Sequence, residues 1–120
     1  MSEVYFFDTY ALIEIIFGNP DYNKYINSIP ILTKLNLFEL FYKIMQTSGI
    51  DVAKKYLEEY SEHAIEYDTK IIEKAAVLKS KNKDMSMADC IGYCVAAKFG
   101  IRFLTGDDAF KGIDGVEFVK

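Results

Sequence analysis

Val4 to Phe7 is an unbroken apolar run closed by Asp8-Thr9, and a similar arrangement, interrupted only by Arg102, returns when Ile101 to Leu104 runs into Thr105-Gly106-Asp107. Runs this short, bounded by turn residues, read as buried strands. The chain between them has helical spacing. Asp8-Thr9 can cap a helix through Tyr10 to Ile16, which Gly18-Asn19-Pro20 stops. A short helix is expected over Tyr22 to Ile26 and a short strand over Ile29 to Thr33. Leu37, Phe38, Leu40, Phe41, Ile44 and Met45 then mark an amphipathic helix from Leu35 to Gln46.

Ser48-Gly49 breaks that helix, and Asp51 to Tyr60 is read as another, with Val52, Tyr56 and Leu57 on one side. Ala64 to Tyr67 is a weak strand candidate. Asp68 or Thr69 caps a helix through Leu78, Lys79 to Asp84 reads as a loop, and Ser86 opens a helix ending at Gly100. Thr105 to Asp108 reads as a turn before a last strand over Val116 to Val119. Strands alternating with helices argue an α/β fold with a mostly parallel sheet and helices on both faces. In such folds ligands bind beyond the carboxyl ends of the strands, where Asp8 and Asp107 fall.

With 120 residues, about half of them apolar, and nine Phe and nine Tyr, the expectation is one domain, residues 1–120, with a packed core. No apolar run approaches the roughly 18 residues of a membrane span. Met1-Ser2-Glu3 carries no basic stretch and the run after it is too short for a secretory signal, so a cytoplasmic protein is expected. A net charge of -4 counts against a module that grips nucleic acid by charge alone, and it favours a basic protein partner. Cys90 and Cys94, four apart, read as small buried side chains rather than a zinc site, since the only His is the distant His63.

Four acids stand where apolar runs meet turns or helices: Asp8, Glu39 within Leu37-Phe38-Glu39-Leu40-Phe41, Asp89 in Ser86-Met87-Ala88-Asp89, and Asp107. Each has a local alternative. Asp8 suits an N-cap, a role compatible with one oxygen facing a metal. Glu39 shares a polar stripe with Asn36, Lys43 and Gln46 and can pair with Lys43 on a solvated face. Ser86 and Asp89 fit a capping box, and Asp107 suits a turn, with Asp108 beside it as a substitute ligand. Buried carboxylates are costly unless paired or bound to a cation, so if the fold gathers these four, a divalent metal is the expected reason.

Taken together, Phe7-Asp8-Thr9-Tyr10-Ala11-Leu12, Asn36-Leu37-Phe38-Glu39-Leu40, Ser86-Met87-Ala88-Asp89-Cys90 and Leu104-Thr105-Gly106-Asp107-x-x-Phe110 resemble the PIN-domain family, and within it the VapC-type toxin ribonucleases. The pieces bracket nearly the whole chain. The resemblance implies a three-layer α/β/α sandwich around a central, mostly parallel sheet. It also implies that Asp8, Glu39, Asp89 and Asp107 converge on Mg2+ or Mn2+, with Thr9, Thr105 and Asp108 supporting the site. It further implies an RNA substrate, a cognate antitoxin and a homodimer. Two departures stand out: Tyr10 replaces a common small Ser, and basic residues to hold an RNA backbone are few.

Hard oxygen ligands suit these cations, and a cation polarises phosphate and acidifies water. Two other acid-bearing folds fit less well. A haloacid-dehalogenase-type phosphatase wants an acid at position 10, where Tyr10 stands, and a receiver domain wants paired acids near the first strand. A non-catalytic PIN-like module that binds RNA or protein is the remaining alternative.

Overall fold

The four short strands form one parallel sheet, whose two central strands bury apolar side chains on both faces. In the computed structural model, which describes residues 3–120, β1 is Val4–Phe7, β2 Ile29–Ile31, β3 Arg102–Thr105 and β4 Val116–Phe118. Met1 and Ser2, the start of the segment read as lacking a signal, lie outside the described residues. The strand order is β2-β1-β3-β4. Phe6 aligns with Ile31 on one side and Phe103 on the other, and Phe103 with Val116.

Alternation along β1 divides the core. Tyr5 and Phe7 join Leu12, Tyr22, Leu40 and Ile44 on one face, while Phe6 joins Phe103, Phe110, Ile91 and Val95 on the other. The first layer is built by α1 (Thr9–Ile16), α2 (Lys34–Ser48) and α3 (Ile50–Ser61); the second by α4 (Thr69–Lys81) and α5 (Met87–Phe99). Gly92 lets α5 lie close on the sheet: a Cβ there would come within 2.6 Å of the Phe6 ring. The result is a helix–sheet–helix sandwich. No helix among the described residues is long and apolar enough to cross a membrane.

Several expectations are corrected. The short helix is a 3-10 helix over Pro20–Tyr25, opened by Pro20 behind an Asn19 cap, and not a helix over Tyr22 to Ile26. Ala64 to Tyr67 forms no strand; Ala64 makes only an isolated bridge to Leu32. Helix α4 continues through Lys79 to Lys81, so the polar stretch there is a helix end with its cations near the carbonyl terminus. On α3 the buried residue is Ala53, and Val52 faces solvent. On α2 the apolar stripe is turned: Phe38 is 72% exposed, whereas Asn36, read as part of a solvated stripe, is 0% exposed.

Candidate active site

After β1 the chain turns to one side to make β2, then returns across β1 to make β3 on the other side. The carboxyl ends of β1 and β3 therefore flank the point where strand order reverses, where open α/β sheets leave a crevice. Asp8 ends β1 and Thr105 ends β3. Their backbones are tied where the Asp8 N–H donates to the Leu104 carbonyl at 3.1 Å.

Asp8 is 3% exposed. Its Oδ1 accepts the Thr9 N–H at 2.8 Å and so caps α1, and its Oδ2 accepts the Thr105 hydroxyl at 2.7 Å. The Thr105 Oγ1 in turn accepts the Asp107 N–H at 3.1 Å. Asp107 caps the 3-10 helix Asp108–Phe110, its Oδ1 taking the Ala109 N–H at 3.0 Å. Gly106 makes this turn possible, because any Cβ there would collide with the Val119 carbonyl and the Tyr10 ring.

Asp89 arrives from the second layer. It closes a reciprocal box with Ser86 at the start of α5: its Oδ2 accepts the Ser86 N–H at 2.9 Å, and its own N–H reaches the Ser86 hydroxyl at 3.0 Å. Glu39 arrives from α2, half-buried, its Oε1 accepting the Thr9 hydroxyl at 2.7 Å. Thr9 also accepts an amide N–H of Asn36 at 3.2 Å.

One cleft of about 230 Å³ is lined by Asp8, Thr9, Tyr10, Glu39, Lys43, Asp84, Ser86, Asp89 and Asp107. The structure thus brings all four expected acids, and Thr9, to one cleft; Thr105 reaches it through Asp8. Asp108 lies outside, exposed and ion-paired to Lys120 at 2.5 Å, which holds its carboxyl below the usual range. Sequence reasoning missed Asp84, which sits in a polar stretch with no local pattern to single it out. It also missed the contribution of Asn36, whose only signal was its spacing of three from Glu39.

The electrostatics are those of crowded like charge. Burial first, then the Asp89 charge and a proton-sharing contact with it, and more weakly Glu39, push the Asp8 pKa well above the usual carboxylate value; the Thr105 hydroxyl opposes them. Glu39 is raised by burial, with the Thr9 hydroxyl opposing, Asp89 adding and Lys43 opposing. Among the described residues, no ion pair involves any of these four acids. A larger cleft at the start of β1, about 720 Å³, also holds acids. There Glu3 accepts the Tyr5 hydroxyl, and Glu117 accepts the Tyr25 hydroxyl at 2.6 Å and is ion-paired to Arg102 at 3.1 Å.

The donor set fits a hard divalent cation: every ligand candidate is a carboxylate oxygen, and no bonded Lys or Arg already neutralises it. Among the described residues no three His, Cys, Asp or Glu side chains close on each other tightly enough to enclose an ion directly.

A family model described as PIN domain matches residues 5–116. The fold is similar to a toxin-antitoxin complex from Klebsiella pneumoniae, with a TM-score of 0.73 at 20% identity over 97% of this chain and 96% of that chain. It is also similar to DNA-bound VapBC from Salmonella typhimurium, with a TM-score of 0.69 at 16% identity over 99% of this chain and 98% of that one. VapBC2 from Rickettsia felis bound to a promoter DNA fragment gives a TM-score of 0.70 at 16% identity over 97% of each chain. No curated protein is significantly similar to this chain.

Proposed function

Because this chain belongs to the PIN-domain family over residues 5–116, we propose that it is a divalent-metal-dependent endoribonuclease of the VapC type, the toxin of a toxin–antitoxin pair. The observation that supports this most is the cleft lined by four carboxylates from both layers, none of which is ion-paired to a Lys or Arg among the described residues. Like charges so gathered are tolerable when a divalent ion, Mg2+ or Mn2+, offsets them.

In this reading Asp8, Asp89 and Asp107 are the central ligands and Glu39 completes the set. Bound there, the cation supplies Lewis acidity toward a phosphodiester and a nearby water. Thr105 and Thr9 hold Asp8 and Glu39 by their hydroxyl protons, so neither carboxylate swings out of the cleft. Glu39 keeps its second oxygen to orient a water and take one of its protons while the water oxygen bonds phosphorus, one P–O ester bond breaks, and the departing ester oxygen takes up a proton from solvent. Lys43, at the rim, meets the phosphate charge that the rest of this acidic chain repels. Tyr10 narrows the floor against Gly106.

Three solved structures similar to this one are toxin–antitoxin or VapBC complexes, which supports an antitoxin partner here. A homodimer and a cytoplasmic setting belong to the same reading. The test is cleavage of mixed RNA by the purified chain with Mn2+, with Mg2+ and with chelator. Metal-dependent cutting that Asp8→Asn abolishes is the expected result. Equal cutting by Asp8→Asn, or cutting in chelator, overturns it.

A further inference from the structure

Asn36 lies wholly inside the protein three residues before Glu39, and each of its hydrogen bonds has a forced direction. The Thr33 N–H, which can only donate, reaches the Asn36 Oδ1 at 3.0 Å, and the Thr33 hydroxyl reaches the same oxygen at 3.0 Å. With Oδ1 so committed, the atom facing Thr9 is Nδ2, a donor, at 3.2 Å from the Thr9 Oγ1. Thr9 must accept there. Its single proton is therefore sent to the Glu39 Oε1 at 2.7 Å. Thr33 and Asn36 are 0% exposed and Thr9 is buried, so water does not compete for the Thr33–Asn36–Thr9 bonds, and only the Glu39 end is part-buried. Replacing Asn36 by an apolar residue leaves Thr9 free to turn its proton elsewhere.

We propose that Thr33 and Asn36 are positioning residues that fix the Thr9 hydroxyl as a donor and thereby hold Glu39 as an aimed acceptor at the metal cleft. The proposal rests on the reading of Glu39 as part of a cation site. A purely architectural role for Asn36, as the reciprocal cap of α2, is the competing explanation: its side chain and that of Thr33 do close the first turn of that helix.

The two are separated by a mutant cycle read as Mn2+ affinity in isothermal calorimetry. Asn36→Leu is made in the wild-type chain and in Glu39→Gln. Outer partners of metal ligands change affinity by about 10- to 100-fold. The expected result is a loss of about 10-fold in wild type and no further loss in Glu39→Gln. Thr9→Val, which removes the hydroxyl while keeping the shape, is expected to match Asn36→Leu and serves as the test should Asn36→Leu fail to fold. Unchanged affinity, or the same loss in both backgrounds, overturns the relay. RNA cleavage by the same preparations keeps the two readings apart. Coupled Mn2+ loss without any wild-type cleavage supports the relay and sinks the nuclease; wild-type cleavage with an uncoupled Asn36→Leu does the reverse.

Discussion

Asp8 concentrates the tension in this molecule. It is nearly fully buried, the Asp89 charge acts on it, and its oxygens are held by a backbone N–H and a hydroxyl. Its folded pKa lies above the unfolded value of about 3.9, so above that pH the unfolded chain has lost a proton that the folded chain still holds. Stability contributed by this group is therefore full below the unfolded value and falls as pH rises through the folded one. In chelator, Asp8→Asn is expected to remove this pH slope and to raise the Tm at pH 7, because the buried charge is gone and Asn caps a helix as well as Asp does. Melting curves from pH 4 to 8 check it; a mutant less stable than wild type at pH 7 contradicts it. Thr105→Val is expected to cost about 1.5–3 kcal/mol in urea unfolding, the worth of a hydrogen bond to a charged group, and less in the Asp8→Asn background. Much of this was legible at the level of single residues. The four acids stood out because each interrupted or ended an apolar run. Asn36 did not, since a lone polar residue on an amphipathic helix looks solvated until the packing of Thr9 and Thr33 around it is known.

The elements were readable where local chemistry decides them. Asp8, Asp68 and Ser86 cap α1, α4 and α5 as their types suggest, and Gly100 ends α5. What local chemistry does not decide is which side of a helix the sheet covers. Periodicity allowed Phe38 into the core, but α2 presents Leu37, Leu40 and Ile44 instead and turns Phe38 out. The same layer choice carries Asn36 inward. The bridge at Ala64 likewise depends on where Leu32 lies, a long-range fact absent from the local stretch. Gly92 shows an element setting the site. Gly92→Ala drives a methyl into Phe6 and Phe103, lifts α5 and with it Asp89. We expect a loss of about 1–3 kcal/mol in stability from overpacking, accompanied by weaker Mn2+ binding. Lost stability with full Mn2+ affinity would show that Asp89 tolerates displacement of its helix.

For the molecule as a whole, a parallel sheet whose order reverses between β1 and β3 makes a crevice, and residues about a hundred positions apart meet in it. That meeting is the part no local reading of the chain can supply; it came from the order of elements and a family likeness. Cation binding and folding are then linked. At Mn2+ one hundred times its Kd, stability is expected to rise by about 2.7 kcal/mol, reversed by chelator and absent in Asp8→Asn. The most direct measurement is anomalous diffraction from crystals soaked in Mn2+. The account predicts a peak inside the cleft lined by Asp8, Glu39, Asp89 and Asp107. A cleft without a peak at millimolar Mn2+, or a peak only beside Glu3 and Glu117, contradicts it.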